Sequence, residues 1–248
     1  MIRLSGGDVA QVWRDGDLVL KRHPSAPPDF FAAEAGGLRA LAAAGMRVPQ
    51  VHEVAPTQIT MQYMAPGPPD WPGLADQLVR LHTTRSPLYG WPEDVFLGTC
   101  RLPSGTSTDW TEYWSTHRIL PLVRQCAPLL GPRASAIEAM LARVELPVEG
   151  AVLLHGDLWS GNVHMSAEGA ALIDPSVWNG ERAVDLAMMQ LFGGFSAEFW
   201  HAYEQRLPLS EAVRASLDCY QLYYLLAHVV MFGRSYLQGV DGVLRRTS

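Results

Sequence analysis

The apolar and polar positions divide the chain into two differently patterned parts. In the first sixty-odd residues, short apolar runs at Val9–Arg14 and Leu18–Arg22 flank Asp15-Gly16-Asp17, a hairpin turn signal. Phe30–Ala44 is rich in Ala and Leu, with Glu34, Leu38 and Leu41 at helical spacing, and predicts a helix that ends near Gly45. Gln50–Ala55 and Gln58–Tyr63 predict two more strands around Pro56-Thr57. The segment Ala65-Pro-Gly-Pro-Pro-Asp70 can hold neither a helix nor an inner strand, and reads as a linker. Beyond it, apolar positions three to four apart predict helices at Leu74–Thr83, Trp110–Gln125, Pro132–Arg143, Arg182–Leu191, Ala197–Gln205 and Ser210–Leu237. Short strands interrupt this pattern at Val152–Leu154, Val163–Met165 and Ala170–Ile173, the last two as a hairpin. The expected fold is therefore α+β and bilobal. Residues 1–64 form a small antiparallel β-sheet lobe with one helix, 65–70 a hinge, and 71–248 a larger, mainly α-helical lobe. Clefts between lobes are preferred ligand sites.

Composition narrows the class. Apolar residues make up 48% of the 248 positions and charged residues 18%, which supplies a core and excludes a disordered, highly charged tail. The longest charge-free stretches, Val54–Pro69 and Cys219–Gly233, fall short of the ~18 apolar residues that span a bilayer. No basic stretch followed by an apolar run opens the chain, so no secretion signal is read. Cys100, Cys126 and Cys219 are odd in number and far apart, which points to a reducing, cytoplasmic setting. A net charge of −6 argues against nucleic acid or anionic membrane as a partner. The eight histidines form no His-x-x-x-His pair with an acid between, so a zinc site is not expected.

One count changes the picture. Of nineteen basic residues, Lys21 is the single lysine and the rest are arginines. Surface charge tolerates that exchange, but a site that needs a compact ammonium does not. Lys21 lies in the strand pattern Leu18-Val-Leu-Lys21, thirteen residues before Glu34 on the following helix. The second strong signal is His155-Gly-Asp157-Leu-Trp-Ser-Gly-Asn162, with Ile173-Asp174-Pro175 after it. Two acids and a carboxamide, each at the end of a short strand, suit phosphoryl transfer. Asp157 would accept or orient the proton of an attacking hydroxyl, and Asn162 and Asp174 would offer hard oxygen ligands to Mg²⁺ on ATP phosphates. Lys21 with Glu34 has the layout of a lysine that binds the α/β-phosphates and the helix acid that holds it. Gly6-Gly7 could form a loop over the phosphates or an ordinary tight turn. Gln62–Met64 would be the strand whose backbone hydrogen-bonds adenine, with Met61 flanking the pocket; a buried edge strand is the plainer reading.

The segment His155–Asn162 resembles the signature of the fructosamine kinase (ketosamine-3-kinase) family, a small-molecule branch of the protein-kinase-like, aminoglycoside phosphotransferase-like fold. Tyr89-Gly-Trp-Pro-Glu-Asp94, Asp109-Trp110 with Arg118, Asp174-Pro175 with Gly180, Asp185-Leu-Ala-Met188 and Tyr220-Gln-Leu-Tyr223 also resemble family segments in order and spacing. The resemblance implies ATP-dependent phosphorylation of the C3 hydroxyl of a ketosamine, free or protein-bound, by a monomer or weak dimer. Such 3-phosphates eliminate and free the amine, which is a deglycation role. It further implies that Asp157 is the base, that Asn162 and Asp174 hold Mg²⁺, and that Trp159 stacks on the sugar. Trp91, Trp110, Trp114, Trp159 and Trp178 lie in the stretch that would wall the acceptor side. For Trp110 and Trp114, four apart on a helix, core packing is the better reading, so Trp159, Trp178, Trp91 and His228 remain as substrate residues. Asp185 reads as an acid that anchors the catalytic loop, and His155 as a loop-fixing histidine. Ala10, Trp13, Asn179 and Glu181 depart from the family pattern, the last two at positions that bear on acceptor choice. Two rival functions are a kinase of this fold acting on an aminoglycoside, an amino alcohol or a free sugar, and a catalytically silent nucleotide- or sugar-binding module.

Overall fold

The structure, a computed structural model, describes residues 1–4 and 9–247. The N-terminal part is built on five antiparallel strands: β1 (Ile2–Arg3), β2 (Gln11–Asp15), β3 (Leu18–Arg22), β4 (Val51–Ala55) and β5 (Gln58–Gln62), in the order β1-β2-β3-β5-β4. The helix α1 (Phe30–Ala43) crosses this sheet. Phe31, Ala35 and Leu38 of α1 are buried with Ile59 and Met61 of β5. Val12 pairs with Lys21 and Lys21 with Ile59 in the ladder, which places Lys21 on a central strand with its side chain buried.

The remainder is mainly helical. In chain order it comprises α2 (Trp71–Leu81), β6 (Tyr89–Trp91), β7 (Val95–Leu97), β8 (Cys100–Leu102), β9 (Gly105–Ser107), α3 (Trp110–Tyr113), α4 (Leu120–Gln125), α5 (Ala127–Leu130), α6 (Arg133–Leu141), β10 (Val152–Leu154), β11 (Val163–Ser166), β12 (Gly169–Leu172), β13 (Trp178–Gly180), α7 (Ala183–Phe192), α8 (Ala197–Arg206), α9 (Glu211–Phe232) and α10 (Leu237–Arg246). Its strands form a four-stranded sheet, β10-β13-β6-β9, and two hairpins, β7-β8 and β11-β12. The fold is α+β, a sheet lobe against a helical lobe, the architecture the sequence predicts. Among the described residues no helix is long and apolar enough to cross a membrane.

Several elements differ from the sequence expectation for local reasons. The Trp110–Gln125 helix contains a π-helical stretch, Trp114–Ile119, between α3 and α4. Pro121 lacks the N–H that would continue the regular ladder, and the turn before it is widened. Arg118, within this stretch, is fully buried, its guanidinium carbon 4.4 Å from the centre of the Trp178 ring. The predicted run Ser210–Leu237 breaks at Gly233, where a 3-10 turn, Gly233–Tyr236, leads into α10. Strands β6 to β9 are three residues each, too short to show a period.

The linker is not a free tether. Gly67 N–H donates to the Met165 carbonyl (2.8 Å), Ala167 N–H to the Ala65 carbonyl (2.8 Å), and His164 Nε2 to the Met64 carbonyl (2.9 Å). Residues 64–67 are thus laced to β11-β12. The hairpin β7-β8 makes a second connection. Phe96 of β7 joins the small apolar core under the N-terminal sheet, its ring 5.5 Å from Phe30 in an edge-on pair. Because that core is small, Phe96→Ala should lower the unfolding free energy by about 3 kcal/mol, and Phe96→Leu by less than half as much. Urea midpoints of the two variants check this.

Candidate active site

The catalytic loop follows from how β10 ends. Val152, Leu153 and Leu154 are all buried, so the chain leaves the core with its next backbone N–H groups short of strand partners. Asp185, near the start of α7, supplies them. Its carboxylate accepts from His155 N–H and from Gly156 N–H, each at 2.8 Å, and lies 3.3 Å from His82 Nε2. His155 is fully buried; its Nε2 donates to the Ile173 carbonyl (3.0 Å) and its Nδ1 accepts from Asp157 N–H (3.3 Å). These are the anchoring contacts expected of Asp185 and His155 from the sequence. Gly156 has φ 79°, and a Cβ there would stand 1.9 Å from the Ser176 carbonyl oxygen. Gly161 is bare for another reason: the Trp159 indole folds over it, 2.2 Å from where a Cβ would be.

Lys21 joins the two lobes. Its ammonium is 3.0 Å from both Glu34 oxygens and 3.0 Å from Asp174 Oδ1. Burial pulls the pKa of Lys21 down, but Asp174 and Glu34 outweigh it and hold the group above its usual range. For Glu34 burial prevails over Lys21 and raises the carboxyl above its usual range. Asp174 has φ 54°, a left-handed conformation that an Asp tolerates at a modest cost. Its grip on Lys21 helps hold it there.

Asp157 is half-buried on the same cavity. Withdrawal from water, together with the charge of Asp174, pushes its pKa up to about 7; Asn162 and Lys21 pull the other way. Asn162 Nδ2 donates to the Asp157 carbonyl (2.7 Å) and to Asp157 Oδ2 (3.1 Å). That orientation leaves the Asn162 amide oxygen as an acceptor, and Asp174 keeps a second carboxylate oxygen beyond the one on Lys21. Two hard oxygens on one cavity suit Mg²⁺, which takes few protein ligands and completes its shell with phosphates and water. No group of three or more His, Cys, Asp or Glu side chains able to hold a metal is found among the described residues.

A cavity of about 1200 Å³ brings together Lys21, Glu34, Asp157, Asn162 and Asp174, and also Trp91, Trp159 and His228. Other residues singled out from the sequence are elsewhere. Trp178 does not reach the cavity: it is fully buried, stacked on Trp110 with ring centres 6.1 Å apart. Trp110 and Trp114 are in the same aromatic core, and Trp110 Nε1 donates to Tyr220 Oη (2.8 Å). Met61 points into the core beneath the sheet, and neither Gln62 nor Met64 lines the cavity. Gln62 N–H and the Met64 carbonyl already have partners in Gln50 and His164. Gly6 and Gly7 lie outside the described residues. Glu181 is buried and accepts from Tyr89 Oη (2.6 Å) and from the N–H groups of Glu149 and Gly150 (3.0 Å each), so it secures a loop and does not face an acceptor. Sequence reasoning missed Phe192, Phe232 and Tyr236, which line the cavity from helix ends.

A sequence model of the fructosamine kinase family matches residues 1–247. The chain belongs to the fructosamine kinase family. It is accordingly an ATP-dependent phosphotransferase. A relative from Thermus thermophilus, described as a probable ketoamine kinase, is 48% identical over 234 residues, covering 94% of this chain and 88% of its own. A crystal structure of a candidate fructosamine-3-kinase from Thermobifida fusca superposes with a TM-score of 0.87 at 31% identity, covering 99% of this chain and 92% of that one. A choline kinase from Streptococcus pneumoniae shares the fold at a TM-score of 0.65 and 17% identity, covering 98% of this chain and 92% of that one.

The hold of Asp185 on the loop is testable without substrate. Asp185→Ala leaves two buried N–H groups unpaired and should cost about 3 kcal/mol of stability, read from chemical denaturation.

Proposed function

We propose that this kinase transfers the γ-phosphoryl group of ATP to the C3 hydroxyl of a ketosamine, such as a fructosamine or ribulosamine, in a cytoplasmic deglycation role. The observation that carries the reading is the convergence on one cavity of Lys21, held by Glu34 and Asp174, with Asp157 and Asn162. Membership of the fructosamine kinase family supports the acceptor class. The exposed indole of Trp159, two residues from Asp157, supports a sugar beside the base.

The chemistry asks for positioning and charge neutralisation. Asp157 takes the proton of the attacking hydroxyl. The hydroxyl oxygen forms its bond to the γ-phosphorus as the bond to the ADP oxygen breaks. Lys21 neutralises the α/β-phosphates while Glu34 keeps the ammonium in place. Asn162 and Asp174 hold Mg²⁺, which when bound offsets the negative charge of the phosphates. Trp159 orients the sugar ring.

Incubation with ATP, Mg²⁺ and a panel of glycated amines should give acceptors heavier by one phosphoryl group, detected by mass. Phosphorylation of aminoglycosides or amino alcohols but of no ketosamine overturns the acceptor assignment. Asp157→Asn should lower kcat by about 10²-fold or more with nucleotide binding retained in calorimetry. Lys21→Arg should raise the KM for ATP by about tenfold, because a planar fork does not replace a point charge. The base works deprotonated, and its pKa is raised to about 7. The kcat/KM for acceptor should therefore fall about tenfold per pH unit below that value and level off above it.

A further inference from the structure

The cavity that holds Asp157 has a wall that the phosphoryl transfer does not use. Three helix ends meet there. Phe192 closes α7, Phe232 closes α9 and Tyr236 closes the 3-10 turn that follows. Their rings surround His228, with centroid distances of 4.8 Å to Phe192, 5.5 Å to Phe232 and 4.8 Å to Tyr236. All four line the cavity, as do Met188 and Met231. The wall carries no ion. His228 Nδ1 donates to the Tyr224 carbonyl (2.7 Å), and burial holds the imidazole below its ordinary pKa, hence neutral at pH 7.

Exposure sets this wall apart. Among the described residues the large aromatic side chains left exposed are Trp159 at 42% and Phe232 at 46%, and both line the same cavity. Exposed apolar surface inside a cleft marks a place a ligand covers. A ketosamine that presents O3 to Asp157 carries its nitrogen on C1, two carbons away. With Trp159 against the sugar, the nitrogen's substituent leaves along a neighbouring wall. We infer that the Phe192–His228–Phe232–Tyr236 wall is the subsite for the amine substituent of the acceptor, and that it selects apolar or aromatic substituents over anionic ones. The charges agree. Lys21, Glu34 and Asp174 satisfy one another, as do Asp94 and Arg101. The other acids on the cavity, Asp29, Glu93 and Asp157, have no ion-pair partner among the described residues, against Arg39 alone on the basic side. An added carboxylate is repelled. This inference rests on the ketosamine reading above.

Fructose-derived ketosamines of benzylamine, ethanolamine and glycine test it, with kcat and KM measured for each. The native enzyme should use the benzyl derivative at about tenfold higher kcat/KM than the ethanolamine derivative, through KM, and the glycine derivative least well. Phe232→Ala should remove that tenfold advantage with an unchanged urea midpoint, and Phe232→Leu should restore part of it. Turnover of all three derivatives at equal kcat/KM, or an unchanged benzyl-to-ethanolamine ratio in Phe232→Ala, overturns the subsite and leaves the ketosamine reading standing. Turnover of none of them, nor of the corresponding ribulose-derived ketosamines, overturns both.

Discussion

A single ammonium, that of Lys21, is held between a carboxylate of the sheet lobe and a carboxylate of the helical lobe. Removing a lone charge of this kind from water costs several kcal/mol, so its two acids must be present and well placed. That requirement reaches through the fold. It sets the face of α1 that turns inward, because Glu34 has to point at β3. It brings the segment after β12 up against the sheet, and it keeps Asp174 in a backbone conformation that few residues adopt. The position of one lysine side chain is thereby tied to the packing of both lobes.

The acidic half of the site is held by different means. Asp185 pins the loop through two backbone N–H groups, and His155 ties the same loop to the chain end that carries Asp174. These bonds are buried and short, and most run to backbone, so they fix where the reacting side chains begin rather than what they are. Asp157 stays free to change protonation state inside a frame that does not. The burial that raises its pKa comes from this enclosure together with the neighbouring carboxylate of Asp174.

Much of this was legible in the sequence because it rests on local spacing. Lys21 stood out as the single lysine, Glu34 sat on the helix that follows, and His155–Asn162 spelled out a strand, a turn and a carboxamide. Burial was harder to read. Trp159 and Trp178 both lie close to the acids, yet one is exposed at the cavity and the other is sealed under Arg118. Trp178 sits on β13, between β10 and β6 in the four-stranded sheet, whereas Trp159 is on the loop before Asn162, folded over Gly161. Met61 alternates correctly for a strand, but alternation does not say which face looks into the core. The apolar spacing predicts one unbroken helix through both Phe232 and Tyr236. The chain breaks at Gly233, where φ is 77°, and Phe232 and Tyr236 on either side of the break line the cavity; a period of 3.6 does not mark such a break.

The lacing of residues 64–67 onto β11-β12 has a mechanical meaning. The first residue of β11 directly follows Asn162. Moving residues 64–67 off this hairpin would break hydrogen bonds to the strand that begins beside the carboxamide. Asn162 and Asp174 flank the base of that one hairpin, where Val163 pairs with Leu172 and the Ile173 N–H donates to the Asn162 carbonyl (3.0 Å). The two oxygens offered to a cation are thus spaced by the same ladder to which residues 64–67 are hydrogen-bonded.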